Sequence, residues 1–211
     1  VDLGGGTGRL AQFLKSQLPK ETNILCVDKS KAMLDKASNV HGIATINADA
    51  VTFMTATMHG IYDVILCKEI IHYINSAYDL KTLTESILRS LKPAGMCIIC
   101  TRPHKDIEYP FFKDAVKKWQ AKQPPFEMYV TALKGAGFRR VEVIHAEYPM
   151  TVALEAWIDF IQQRIWSIFS YNDYSDAELQ RGINELRECY AISNESVLNF
   201  KDKLIFIKAV R

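Results

Sequence analysis

No apolar stretch of the 211-residue chain approaches the length of a membrane span, so an integral helical membrane protein is not expected. Long runs of one charge are also missing. The longest basic clusters are pairs such as Lys117-Lys118 and Arg139-Arg140, and 26 basic against 24 acidic residues leave only +2. A broad phosphate-facing patch for nucleic acid gets no support from that balance. Internal repeats and low-complexity linkers are absent, which leaves one ordinary globular domain over residues 1–211. The five cysteines are an odd number scattered through apolar segments. They suggest a reducing compartment, the cytoplasm, rather than a disulfide framework. No initiator Met opens the chain. It begins Val1-Asp2-Leu3, as if inside a strand, so the domain is expected to be incomplete at its N-terminus.

Strands and helices are expected to alternate. After the strand stub, Gly4-Gly5-Gly6-Thr7-Gly8 makes a turn, and Leu10, Phe13, Leu14 and Leu18 form a helical stripe stopped by Pro19. Ile24–Val27 is an unbroken apolar run suited to a parallel strand covered on both faces. A short helix over 31–38 and a strand over 42–49 follow. Tyr62–Cys67 reads as a fourth strand, Ser76 as the cap of a helix through Leu91, Lys92–Gly95 as a turn, and Met96–Cys100 as a fifth strand. This is an α/β pattern with a parallel sheet between helices. Strands are further expected over 138–148 and 203–210. The residues between them, about 151–200, look helical: Leu154, Ile158, Ile161, Ile165 and Ile168 follow helical spacing, and Ser175-Asp176-Ala177-Glu178 is a capping box. That stretch is expected to be an insertion, or lid, before the last strand.

The glycine turn carries the chemistry. A dinucleotide fingerprint wants Gly-x-Gly-x-x-Gly, but from Gly4 or Gly6 the third glycine position falls on Arg9 or Ala11. No phosphate-binding Lys follows, which excludes a nucleoside-triphosphate loop. The pattern present is Asp2-x-Gly4-x-Gly6-x-Gly8. An acid beside the loop repels a pyrophosphate but suits an ammonium group. Asp28, twenty residues after Gly8, ends the second strand, where a carboxylate accepts from ribose hydroxyls. Asp49 ends the third, within reach of an adenine amino group. Both aspartates equally suit caps of the helices that follow.

These segments, with Val27-Asp28-Lys29-Ser30, Asn47-Ala48-Asp49-Ala50, Tyr62–Cys67 and Leu91–Met96, resemble the ordered motifs of the class I S-adenosylmethionine-dependent methyltransferases. The resemblance implies a Rossmann-like, doubly wound, seven-stranded, mostly parallel sheet with an antiparallel last strand. It implies that S-adenosylmethionine is the cofactor. Asp2 and Gly4 would face its methionine part, with Gly6 and Gly8 permitting close approach. Asp28, beside Lys29, would hold the ribose, Met33 would pack on the adenine, Asp49 and the Ala50 amide would read its edge, and Cys67 would lie beside the methionine chain.

On the acceptor side, Cys67-Lys68-Glu69-Ile70 lacks the Pro-Pro motif of amino-methylating nucleic-acid enzymes and the Pro-Cys nucleophile of cytosine-C5 enzymes. Cys97 and Cys100 point to opposite faces of a strand, and no metal is expected. His72 lies where the small-molecule subgroup carries a His-containing loop, as base or substrate donor. Arg102 and His104 follow the fifth strand, where an Arg clamps a carboxylate. Trp157, Phe160 and Arg164 share a helix face, offering an aromatic lid with one cation, or else simple packing. The looser similarity of Arg102-Pro103, the Trp119 to Pro125 stretch, Ala136–Phe138 and the Trp157 to Ser167 helix is to trans-aconitate and juvenile-hormone-acid methyltransferases. It implies a small carboxylic acid as methyl acceptor. The chain is expected to be a monomer or weak dimer. N- or S-methylation of a small amine or thiol, and a catalytically silent binding module, are the competing readings.

Overall fold

The computed structural model describes residues 1–74, 76–190 and 196–211. The elements run β1 (Asp2–Leu3), α1 (Arg9–Gln17), β2 (Ile24–Asp28), α2 (Lys31–Ala37), β3 (Ile43–Asn47), α3 (Ala50–Ala56), β4 (Tyr62–Lys68), α4 (Ala77–Ser90), β5 (Leu91–Thr101), α5 (Lys113–Lys122), α6 (Phe126–Ala136), β6 (Arg140–Ala153), α7 (Leu154–Gln162), α8 (Asp176–Tyr190) and β7 (Val197–Val210). One-turn 3-10 segments lie at Ile71–Tyr73 and Ser167–Phe169. The seven strands form one sheet in the order β3-β2-β1-β4-β5-β7-β6. β1 to β5 pair in parallel, and β7 pairs antiparallel with β5, Met96 opposite Val210 and Thr101 opposite Ile205.

The chain divides into two compact units. The first comprises 1–102, 126–145 and 205–211. Alternation along its strands feeds two apolar layers. Leu3, Val27, Ile65, Cys67, Cys97 and Ile99 join the cluster that takes in Met54 of α3, Leu83 and Ile87 of α4, and Tyr129 and Leu133 of α6. Cys26, next to Val27, points the other way, into a cluster with Ala11 of α1 and Leu34 and Ala37 of α2. Successive residues of a strand covered on both faces must both be apolar, which explains the unbroken runs of β2 and β4. Ser76 caps α4, its Oγ accepting the Asp79 N–H at 2.9 Å.

The second unit comprises 103–125 and 146–204. It therefore draws in α5 and the segment before it as well as the later helices. Its core is aromatic: Phe111 stacks on Trp157 at 5.9 Å between ring centroids and Trp157 on Phe160 at 5.3 Å, with Trp166 edge-on to both Phe111 and Phe160. Such pairs stabilise beyond the area they bury. Gly182 of α8 meets the Phe112 ring, where a Cβ would fall 2.6 Å from three ring carbons. The expected capping box forms: the Glu178 carboxylate accepts the Ser175 N–H at 2.8 Å, and Ser175 Oγ the Glu178 N–H at 3.3 Å.

Several boundaries differ from the sequence expectation. Lys92–Gly95 lies within β5 as an irregularity, since Tyr62 pairs with Leu91 and Val64 already with Met96. Strands β6 and β7 run longer than 138–148 and 203–210. α7 stops at Gln162, so Arg164 and Trp166 are not on the helix of Trp157. Arg164 takes a left-handed φ of 53°, and its N–H returns to the Ile161 carbonyl at 3.0 Å. The apolar period ends there too, leaving Ile165 56% exposed.

Candidate active site

The glycine turn is fixed by what surrounds it. Gly4 and Gly5 both donate to the Val27 carbonyl, at 2.7 and 3.2 Å, and Gly8 donates to the Gly5 carbonyl at 3.0 Å. Gly4, Gly6 and Gly8 all have positive φ, a region costly for residues with a Cβ. Gly5, the position that spacing passed over, is the tightest: a Cβ there would sit 2.3 Å from Cys26 Sγ and 2.8 Å from Asp2 Oδ2. At Gly6 the same test meets only Asp28 Oδ2, at 4.0 Å. α1 then starts at Gly8 with no side-chain cap and no acid in its first turn, leaving amides for another acceptor.

Three carboxylates accompany the first three strands: Asp2 lies in β1, Asp28 ends β2, and Asp49 follows β3, which stops at Asn47. Asp2 is 2% exposed, and its Oδ2 has no hydrogen-bond partner among the described residues. Burial pushes its carboxyl up to about 6. Asp28 accepts the Gly6 N–H at 2.9 Å on Oδ2 and the Ser30 N–H at 2.8 Å on Oδ1. A carboxylate has about four acceptor positions, so two remain on a group whose orientation the backbone now dictates. Asp49 caps α3, Oδ1 accepting from Val51 and Thr52. Ala50 is buried at the start of α3, Met33 of α2 is 45% exposed, and Lys29 is exposed with Nζ 5.6 Å from the Tyr73 ring centroid. Cys67 ends near the glycine turn in register, opposite Leu3, yet its thiol is buried against Cys97 in the core. That pairing and burial hold the thiol well above its usual range.

Beyond β4 and β5 lies a second polar group. Glu69 has a left-handed φ of 54°, with its N–H bonded to the Cys100 carbonyl at 2.9 Å. Its side chain pairs with Arg102, the first residue past β5. His72 sits on the 3-10 turn, its ring 4.2 Å from that of Tyr73. Burial lowers its pKa, so it is neutral near pH 7. Glu69 Oε1, His72 Nδ1 and the Tyr129 hydroxyl are buried with no partner among the described residues. Spacing had marked His72 and Arg102 but neither Glu69 nor Tyr129, whose helix looks like ordinary core in sequence.

The other expected substrate contacts lie in the second unit. Trp157 is 7% exposed and donates from its indole to the Pro110 carbonyl at 2.8 Å. Arg164 donates to the carbonyls of Phe169 and Tyr174 at 2.6 and 2.9 Å and to Asp176 at 2.9 Å. Among the described residues no His, Cys, Asp and Glu side chains group as a metal site, and no helix is long and apolar enough to cross a membrane.

A sheet ordered 3-2-1-4-5-7-6 with β7 antiparallel, entered by a glycine turn, is the Rossmann-like fold of class I S-adenosylmethionine-dependent methyltransferases. Residues 1–97 match the family described as a methyltransferase domain. That match covers a little under half of the chain, through the glycine turn and the first four strands into the fifth. Solved structures agree on the fold. A phosphoethanolamine N-methyltransferase 2 of Haemonchus contortus, in complex with phosphomonomethylethanolamine and S-adenosylhomocysteine, is 18% identical with a TM-score of 0.60; it matches all of this chain and 48% of its own. An S-adenosylmethionine-dependent methyltransferase of Archaeoglobus fulgidus is 14% identical with a TM-score of 0.61, covering 100% of this chain and 84% of its own. The [4+2]-cyclase SpnF is also 14% identical, with a TM-score of 0.60, over 100% and 74%. This chain thus spans about half the length of the Haemonchus protein. No curated protein sequence matches it.

Proposed function

We propose that this domain transfers a methyl group from S-adenosylmethionine to a small-molecule acceptor. The observation that carries the reading is the pair of acids around the glycine turn: Asp2, buried with an unpaired oxygen, and Asp28, aimed by two backbone amides. A buried carboxylate without a partner is costly unless a cation completes it. The ammonium of a methionine moiety is such a cation, and the open space at Gly6 suits close approach of a ligand. Asp28 keeps two acceptor positions for a ribose diol. Asp49 keeps one oxygen beyond its cap for an adenine amino group, with the Ala50 amide beside it and the exposed Met33 as an apolar face. Lys29 lines the rim, and Cys67 supports the turn from the core side.

When bound, S-adenosylmethionine supplies an electrophilic methyl group on a sulfonium. The protein's part is to hold donor and acceptor in line and to keep water out. His72, neutral near pH 7, can take a proton from the acceptor. The carboxylate acceptor expected from sequence draws less support, because Arg102 is paired with Glu69 and Arg164 is spent on two carbonyls and Asp176. The cyclase with this fold keeps a non-transferring rival in view.

Calorimetric titration with S-adenosylmethionine and, separately, NAD tests the reading. Binding of the first alone is expected. Asp28→Ala is expected to weaken it by at least about tenfold, the order of two charge-assisted hydrogen bonds. Equal affinity for NAD, or an unchanged affinity in Asp28→Ala, sinks it.

A further inference from the structure

In the expected carboxylic acid reading, Arg102 past β5 was a candidate clamp for the acceptor. That cation is committed. Arg102 pairs with the carboxylate of Glu69, its side chain 12% exposed and that of Glu69 24%. The pair is held by backbone: Lys68 and Cys100 are register partners, the Glu69 N–H bonds the Cys100 carbonyl, and Arg102 follows two residues on. Glu69 also holds a positive φ, a strain that persists where the surroundings impose it. An incoming carboxylate would have to break this pair and then face Glu69, a like charge.

The remaining polar atoms point to the opposite ligand chemistry. Glu69 Oε1 can only accept. His72 Nδ1 and the Tyr129 hydroxyl are also unpartnered among the described residues. Ile71, between Glu69 and His72, shares a core cluster with Tyr129, and Ile70 packs against that cluster. Each buried polar atom without a partner costs about 1–3 kcal/mol, and such atoms in a native fold call for a reason. A carboxylate with an unpartnered oxygen, two further unpartnered polar atoms and Arg102 already paired suit a ligand that brings hydrogen-bond donors.

We propose that Glu69, His72 and Tyr129 form the acceptor-binding set of this domain and select a small amine, with Arg102 acting as a positioning residue that holds Glu69. The proposal rests on the methyltransferase reading above and names its acceptor class. Glu69 binds the ammonium form. One N–H bond of the bound amine breaks and its proton passes to His72 Nδ1, leaving the nitrogen lone pair free. Tyr129 hydrogen-bonds the amine and fixes its direction.

Benzylamine and phenylacetate share a ring and one methylene and differ in charge, so they serve as probes. Their binding is measured by ligand-observed NMR, with and without S-adenosylhomocysteine. Benzylamine is expected to bind at least about tenfold more tightly than phenylacetate, the ratio of one charged contact. Glu69→Gln releases Arg102 and is expected to reverse the preference. Tyr129→Phe keeps the volume and is expected to weaken benzylamine about threefold or more, with phenylacetate unchanged. If Glu69→Gln does not fold, the wild-type ratio and Tyr129→Phe still decide. Equal binding, preference for phenylacetate, no binding of either probe, or a Tyr129→Phe variant with the wild-type ratio overturns the proposal. Failure of S-adenosylhomocysteine to bind would instead count against the methyltransferase reading, and the amine preference would still be read from the probes alone.

Discussion

The carboxylate of Asp2 lies under the glycine turn with one oxygen unpaired, and burial raises its pKa from an ordinary 3.8 to about 6. Between these values the folded chain keeps a proton that the unfolded chain has released. Its contribution to stability therefore falls as pH rises through that window and stays low above it. A shift of this size corresponds to about 3 kcal/mol at most. Asp2→Asn removes the penalty, so the ligand-free variant is expected to be more stable than wild type in urea at pH 7.5 by about 1–3 kcal/mol. At pH 4 the two should be nearly equal. Cofactor binding should move the other way, because only the ionised acid attracts an ammonium. With a pKa near 6, roughly nine-tenths of the wild-type acid is ionised at pH 7 and roughly one-tenth at pH 5, so affinity for S-adenosylmethionine should fall about tenfold. Asp2→Asn should bind at least about tenfold more weakly at pH 7 and show no such slope. Calorimetry in buffers of different ionisation enthalpy adds a readout, since binding to wild type at pH 6 should release about half a proton. A variant no more stable than wild type at pH 7.5, or one that binds with wild-type affinity and pH profile, would refute the reasoning.

Arg164→Ala is expected to lower the melting temperature by several degrees, since the Phe169 and Tyr174 carbonyls lose a buried donor worth about 1–3 kcal/mol. Affinity for S-adenosylmethionine should not change; thermal melts and calorimetry on the same preparation check both halves. Gly182→Ala should destabilise by about 1–3 kcal/mol despite the better helix propensity of Ala, because its Cβ would enter the Phe112 ring. Equal or higher stability in urea would show that the ring has room to move.

The glycine turn was legible because its constraints are local. Parallel strands covered on both faces write themselves as apolar runs, and a turn with positive φ at Gly4, Gly6 and Gly8 can only be glycine-rich. The positions of Asp2 in β1, Asp28 at the end of β2 and Asp49 two residues past β3 were therefore readable. The polar group past β4 and β5 was not. Glu69 and Arg102 are brought together by strand register, and Tyr129 enters the core cluster of Ile71 from a helix 60 residues further on than Glu69. No periodicity marks such a meeting. The end of α7 was misread for a related reason: Ile165 and Ile168 continue a helical spacing by chance, whereas the left-handed turn at Arg164 depends on carbonyls that follow it. The aromatic core of the second unit took Trp157, whose spacing suits packing and ligand contact equally well.

The antiparallel insertion of β7 between β5 and β6 has a consequence for how the chain assembles. Strands β1 to β5 can pair as they emerge, each beside one already present. β6 precedes β7 in the chain yet reaches the sheet only through it. Until β7 arrives, the free edge of β5 and the whole of β6 are unpaired backbone, the kind of edge that invites pairing between molecules. Loss of β7 would thus detach two strands and expose Ile99, which lies opposite Ile207, along an open apolar edge. A ribosome-bound intermediate of this domain would carry the completed glycine turn and a sheet still vulnerable on one side.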